Sequence, residues 1–267
     1  MKIIRHLTPS GPAYAALQSD GTAHAITGDI LGDFCVTSDP VTLGHRLAPI
    51  VPPCIVAVGL NYAKHAAEGG KAPPERPMWF MKMPGALQHP DAPILLPRHQ
   101  ATTQADYEAE LAIVIGRTAR NLSRADAINY VLGYTCANDV SARDWQREWG
   151  GGQFCHAKSF DTFCPLGPVL VTPDELTQPN ALRIRSFLND RVMQDSSTSD
   201  MIFDVPSLIE FLTADKTLPA GTVILTGTPE GVGFARQPPV WLQPGDIISI
   251  EIEQIGTLTN PVALSPS

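Results

Sequence analysis

The chain has 267 residues, of which 43% are hydrophobic and 17% charged, and its formal net charge is −8. This composition excludes a disordered chain, and the acidic balance excludes a general nucleic-acid surface, which would show clustered Lys and Arg. No apolar run approaches the roughly 20 residues that span a bilayer.

The length suits one large domain, or one domain with a small appendage. The start, Met1-Lys2-Ile3-Ile4-Arg5-His6, has no signal-peptide core, so a cytoplasmic protein with no membrane or nucleic-acid partner is expected. Five cysteines (Cys35, Cys54, Cys136, Cys155, Cys164) are odd in number and form no Cys-X-X-Cys, which argues against a disulfide scaffold or a zinc cluster. Cys155-His156 reads as a strand pair whose side chains point apart, hence as packing rather than ligation.

Residues 1–50 carry short strand-like pieces, Ala13 to Leu17 and Ala23 to Ile26, between Gly and Asp turns. They read as a small β-rich N-terminal region, with Pro49, Pro52 and Pro53 marking the boundary to a domain over 51–267. There, Ile55 to Gly59 reads as a buried strand leading into a helix with Asn61 as N-cap candidate. His65 and Glu68 share one face of that helix. The Gly69-Gly70 pair and three prolines up to Pro77 leave nothing apolar to bury, so this stretch should be exposed. Met78 to Lys82 and Ile94 to Leu96 return to strand.

The stretch Asp106 to Gly116 reads as the central strand. Alternation puts Asp106, Glu108 and Glu110 on one side, continued by Ala112 and Val114, so the acids stand at the rim of a dry surface. Such a cluster suits a hard cation, although Glu-X-Glu at a strand start is also an ordinary solvated edge. Glu251 and Glu253 repeat the spacing, yet their face begins with Ser249 while isoleucines fill the other, as in a half-wet strand. Spacing alone does not choose between the pairs.

Further on, Ser123 to Asp126 predicts a capped helix towards Val131 that ends at Gly133. Gly133 to Ala137 reads as a strand ending at Asn138-Asp139, Val140 to Trp149 as a helix, and Gly150 to Gly152 as a break. Strands follow at Pro168–Thr172, Leu182–Leu188, Thr222–Thr226, Asp246–Ile252 and Thr257–Thr259, with a helix capped by Asp204 between the second and third. Singly, the polar residues admit bland readings. His65–Glu68 is a base and its orienter or a solvated helix face; Asp139 is a ligand or a cap; Lys158 serves an anion or snorkels. Gly227 to Gly233 lacks the Gly-Lys-Ser/Thr of a phosphate loop.

In order, these motifs resemble the fumarylacetoacetate hydrolase family. The matching runs are Val58 to Tyr62 through Glu68, Tyr107 to Leu111, Asn138 to Gln146, Ala157 to Thr162, and Leu225 to Gly233, closed by Gly245-Asp246 and Ile255 to Asn260. The likeness covers about residues 50–263, and Phe160 to Pro168 is most similar to the domain-containing proteins of that family. The resemblance implies an α+β, mainly β fold: a mixed-sheet roll with a few short helices, assembled as a homodimer. It implies Mg²⁺ or Mn²⁺ on Glu108, Glu110 and Asp139, with Lys158 as the active-site lysine. Arg143, Gln146 and Thr228 would contact substrate, and His65 and Glu68 would activate water on a closing segment. Leu60 stands where some members carry Arg, which makes that end of the pocket more apolar.

The leading expectation is a hydrolase that cleaves the C–C bond of a 2,4-dioxo acid such as an acylpyruvate or fumarylpyruvate. The alternative keeps the site and changes the reaction to decarboxylation or keto–enol isomerisation of an oxaloacetate-like acid. Either way the partner is a small anionic oxo acid. A non-catalytic binding protein is disfavoured because every matched acid is present.

Overall fold

Apolar runs between Gly, Pro and Asp turns set the element order in the computed structural model, which describes residues 1–266. The first fifty residues form β1 (Lys2–Thr8), β2 (Gly11–Leu17), β3 (Ala23–Gly28), β4 (Phe34–Pro40) and β5 (Arg46–Leu47). Next come β6 (Ile55–Gly59), α1 (Ala63–Glu68), β7 (Met78–Lys82), β8 (Leu87–Gln88), β9 (Ile94–Leu96), β10 (Ala105–Asp106) and β11 (Ala109–Ile115). The chain continues through β12 (Val131–Asn138), β13 (Ser141–Ala142), α2 (Phe154–Lys158), β14 (Cys164–Val171), β15 (Arg183–Leu188) and β16 (Arg191–Ser197). It closes with α3 (Val205–Thr213), β17 (Val223–Leu225), β18 (Ile247–Ile252) and β19 (Gly256–Leu264). The class is α+β and mainly β, as the resemblance implies.

The large sheet runs β4-β3-β2-β1-β14-β12-β11-β17-β6-β7, with β5 on β1 and β8 on β14. A second sheet runs β16-β15-β18-β19-β9, and β10 pairs with β13 alone. Most neighbours are antiparallel, but β17 with β6, β14 with β8 and β19 with β9 are parallel, so the sheets are mixed. The N-terminal strands extend the large sheet, because Lys2 and Ile3 of β1 pair with Val171 and Leu170 of β14. No helix among the described residues is long and apolar enough to cross a membrane.

Strand β11 sits at the centre and is buried along its whole length. Its two faces feed two cores. Leu111, Ile113 and Ile115 pack with Tyr134, Ile250 and Leu258, whereas Ala112 and Val114 pack with Ala57, Phe80 and Leu225. Each of the larger side chains contributes about 1.5–3 kcal/mol by leaving water. Strand β18 is one-sided instead: Ile248, Ile250 and Ile252 are buried and the alternate positions reach solvent.

Local sequence signals fail in four places. The helix expected from Ser123 shrinks to a 3₁₀ turn over Ala127–Tyr130, and the chain enters β12 at Val131. The Ser123 hydroxyl does donate to Asp126 (2.6 Å), but Val131, Tyr134 and Thr135 gain more by pairing with β11 and β14. Gly133 does not end a helix either: a Cβ there would lie 2.7 Å from the Val171 carbonyl oxygen, so close strand approach requires glycine. Within 140–149 the helix begins only at Arg143 and is a π-helix over Trp145–Trp149, because Ser141 and Ala142 pair with β10. Asn61 is not the cap of α1, where Tyr62 stands, and Cys155 and His156 lie on α2 rather than on a strand. The Asp204 cap holds: its carboxylate accepts from the Ser207 N–H at 3.0 Å.

Candidate active site

The acidic strand is interrupted where chemistry needs it. The Glu108 N–H donates to the Asn138 side chain (3.0 Å) and the Ala109 N–H to the Gln194 side chain (3.0 Å) instead of to a neighbouring strand. The Asp139 N–H in turn donates to the Glu108 carbonyl (3.0 Å), so the end of β12 is tied beside the start of β11. One oxygen each of Glu108, Glu110 and Asp139 then lies within 4.8 Å of the other two, all three residues buried. The acids are therefore at the bottom of a cleft rather than at a wet rim.

Three cations meet them. Lys158 Nζ donates to Glu108 (2.7 Å) and Asp139 (2.6 Å), and Lys82 Nζ donates to Asp139 (2.5 Å). Arg143 donates to Glu108 (2.6 Å), Asp106 (2.9 Å) and the Gln146 side chain (2.9 Å). Burial pushes the Glu108 carboxyl up, but Lys158 and then Arg143 outweigh it and hold the group below the usual carboxylate range. Glu110 has no such partner. Burial, then the charges of Asp139 and Glu108, push it well above the usual range, and the Lys158 charge and then the Gly227 N–H (2.6 Å) offset this only in part.

This imbalance tests whether a metal fits. Asp106, Glu108, Glu110 and Asp139 face Arg143, Lys158 and Lys82, so the buried cluster lacks at least one positive charge while Glu110 is ionised. Three converging carboxylates are the donor set of a hard divalent cation, which would neutralise the excess. The residues fit the ion.

A cavity of about 420 Å³ opens onto the acids, lined also by Lys158, Arg143, Gln146 and Thr228. Its outer wall is α1. His65 Nδ1 lies 3.1 Å from one Glu68 oxygen, while the other Glu68 oxygen accepts from the Gly231 N–H (3.0 Å). Burial raises the Glu68 carboxyl, but the hydrogen bonds from His65 and Gly231 outweigh it and lower it overall. The segment after α1 is exposed, as its composition predicts. Eight of the nine residues singled out in the sequence line this cleft, and the ninth, Asp139, lies behind the lining beside Glu108 and Glu110.

Several contributors escaped the sequence. Lys82 looked like the polar end of a strand, yet it is 1% exposed and bound to Asp139. Asp106, which the sequence placed on the acidic face but the family's motif does not match to a ligand position, accepts from the backbone of Tyr107, Gly233 and Phe234 as well as from Arg143, so it sets Arg143 rather than the triad. Gln194 donates to Thr228 (2.8 Å) while accepting from Ala109, which ties the glycine-rich turn to β11. Asn61 bonds the backbone of Phe203 and Thr226, fixing the floor beneath α1. Its place in the Val58 to Tyr62 motif was the one available signal.

Comparison with known proteins agrees with this geometry. The profile of the fumarylacetoacetate (FAA) hydrolase C-terminal family matches residues 54–263. The mitochondrial oxaloacetate tautomerase of Xenopus laevis is 45% identical over 217 residues, which cover 81% of this chain and 67% of that protein. A 5-carboxymethyl-2-hydroxymuconate delta-isomerase from Mycobacterium smegmatis superposes with TM-score 0.86 at 41% identity, covering 99% of this chain and 100% of that one. A fumarylacetoacetate hydrolase from Exiguobacterium antarcticum superposes with TM-score 0.89 at 36% identity, with the same coverage. With the motifs in order, the cleft assembled and the profile matched over most of its length, the chain belongs to the fumarylacetoacetate hydrolase family.

Proposed function

We propose that the protein is a divalent-metal-dependent isomerase that interconverts the keto and enol forms of a small anionic 2-oxo acid such as oxaloacetate. The observation that carries this reading is the charge-deficient cluster of Glu108, Glu110 and Asp139 at the closed end of a cleft walled by cations. Relatives named for oxaloacetate tautomerisation and hydroxymuconate isomerisation support the reaction class over C–C hydrolysis.

Glu108, Glu110 and Asp139 would hold a divalent cation, Mg²⁺ or Mn²⁺, which would supply Lewis-acid polarisation of the substrate's oxygens. The chain's own residues supply the rest. The ammonium of Lys158 and the guanidinium of Arg143 offset the negative charge that grows on the 2-oxygen as the C3 proton passes to solvent, which returns a proton to that oxygen to give the enol, and the reverse in ketonisation. Lys158 is already aligned by Glu108 and Asp139, and Arg143 by Glu108 and Asp106, so little reorganisation is needed. Gln146 and Thr228, oriented by Arg143 and Gln194, offer hydrogen bonds that fix the substrate's carboxylate end.

Hydrolysis of an acylpyruvate is the second reading, and the closed His65–Glu68 pair favours it. With Nδ1 engaged by Glu68, His65 Nε2 is free to take a proton from water. The experiment follows the enol absorbance of oxaloacetate, and of a panel of acylpyruvates, with Mg²⁺ and purified protein. Accelerated ketonisation without C–C products is the expected result. A rate no higher than that of Glu110→Gln on every substrate overturns the proposal. Acylpyruvate cleavage that disappears in His65→Ala while ketonisation persists establishes the second reading.

A homodimer completes the proposal. Strand β7 ends the large sheet, and Met78, Trp79, Met81 and Met83 on and beside it are 41–65% exposed, an apolar edge that a second copy would cover. A monomeric sedimentation mass at micromolar protein excludes it.

A further inference from the structure

The cations of the cleft divide into two sets. Lys158 and Arg143 are committed to Glu108, Asp139 and Asp106. Arg147 and Lys71 also line the cavity, but both are exposed, and among the described residues neither side chain has a carboxylate partner. They come from different elements: Arg147 from the π-helix, Lys71 from the segment that follows α1.

Arg147 is positioned. Residues 143, 146 and 147 are three and four apart, so they share one side of their turn, and all three line the cavity. The Arg147 guanidinium lies 4.4 Å over the ring of Phe234, and Arg143 lies 4.8 Å from the same ring. One aromatic side chain thus carries an inner guanidinium bound to the acids and an outer one that is free. Stacking holds the face of Arg147 and leaves its N–H edge open for a planar anion. The same cavity also has an apolar lining of Val58, Leu60, Met78, Phe80 and Phe154. Such a pocket accepts a molecule charged at both ends and carbon between them.

We propose that Arg147 is a specificity residue that binds the distal carboxylate of a 2-oxo dicarboxylate, with Lys71, which lines the same cavity, as a weaker second cation. This deepens the isomerase reading, on which it rests, by naming a dicarboxylate and excluding monocarboxylic acylpyruvates as preferred substrates. An arginine fork on a carboxylate forms two charge-assisted hydrogen bonds, whereas the stem of a monocarboxylate leaves it unpaired.

The test separates binding from turnover. Malate and lactate share a 2-hydroxycarboxylate head and differ by the distal carboxylate. With Mg²⁺ present, the wild type should bind malate about 10-fold more tightly than lactate by calorimetry, the scale of one charged hydrogen-bonding group. In Arg147→Gln the ratio should fall to about one; Arg147→Lys, which keeps the charge and loses the fork, should fall between. Lys71→Gln should lower the ratio less than Arg147→Gln. In turnover, Arg147→Gln should lower kcat/KM for oxaloacetate relative to phenylpyruvate by a similar factor, mainly through KM. Equal wild-type affinities, or a preference for malate that survives in Arg147→Gln, overturn the proposal. If the preference depends on Arg147 but no oxo acid is turned over, the isomerase reading fails and the dicarboxylate site stands.

Discussion

Two strands carry Glu-X-Glu at the same spacing and put it to opposite uses. On β18 and its following turn, Glu251 and Glu253 face solvent; Glu251 pairs with Arg185 at 34% side-chain exposure, and the apolar alternates go to the core. At the start of β11, Glu108 and Glu110 are 5% and 1% exposed and stand beside a third buried carboxylate. The pattern is identical; the surroundings differ. Strand β11 is buried along its length, so its acids meet solvent only through the cleft and are faced by the buried cations Lys158, Arg143 and Lys82. Folding alone does not call for such an arrangement, because burying charge opposes stability. The teaching is that a carboxylate whose removal should stabilise the fold marks function.

The strongest way to break this contrast is Glu110→Gln. The isostere keeps an acceptor for the Gly227 N–H and removes the charge that Asp139 and Glu108 oppose. Isomerase activity should fall about 10³-fold or more, since several kcal/mol of transition-state stabilisation depend on the ion. Without added metal, the variant should melt above the wild type by a few degrees, at about 2–4 °C per kcal/mol for a chain of this size. With Mg²⁺ at 100 times its Kd the wild type should gain about 2.7 kcal/mol and the variant almost nothing. A Glu110→Gln protein that is less stable without metal and still shifted by Mg²⁺ contradicts the assignment.

Asp106→Ala strikes the same region from behind. It removes the partner that Arg143 shares with Glu108 and strands three backbone donors at Tyr107, Gly233 and Phe234. Breaking one side of a buried pair costs about 3–5 kcal/mol, read as a lower urea midpoint. Two glycines sharpen the comparison further. Gly227 (φ +97°) serves Glu110, and a Cβ there would lie 2.8 Å from the Asn61 side chain; Gly245 (φ +96°), just before β18, has open space. Gly227→Ala should cost about 1–3 kcal/mol and lower activity, while Gly245→Ala should cost only its backbone strain, about 1–2 kcal/mol, with activity kept.

What was legible divides along the same line. Period-two alternation placed the strands, but it did not choose between the Glu pairs of β18 and β11; Asp139, Lys158 and the His65–Glu68 pair, arriving in the order of the family's motifs, did. The helix expected from Ser123 failed because its cues are local, whereas Val131 to Asn138 is claimed by two distant strands. Lys82 was illegible for a related reason. A lysine ending Met78-Trp79-Phe80-Met81 reads as a solvated terminus until Asp139, 57 residues on, is brought against it. Gln194 reaches Ala109 across 85 residues, with no periodicity to announce it. Pairwise long-range polar contacts leave no local pattern, so the residues that orient a site are hidden even where its ligands are visible.

The smallest effect belongs to Glu251→Gln, and it is the control on which the comparison depends. The Arg185–Glu251 pair is partly solvated, so its Coulomb energy is screened and much of it is offset by the side-chain order it imposes. Arg185 also keeps its stacking over Phe187 at 5.1 Å when the carboxylate is gone. The loss should be below about 1 kcal/mol, and smaller still in high salt, with isomerase activity and the Mg²⁺ shift unchanged. The sign is what matters. At β18 the charge should help folding slightly and catalysis not at all; at β11 it should hinder folding and be needed for catalysis. If Glu251→Gln and Glu110→Gln moved metal-free stability in the same direction and by the same amount, burial would not distinguish the two pairs, and the argument from charge-deficient acids to a metal would lose its footing.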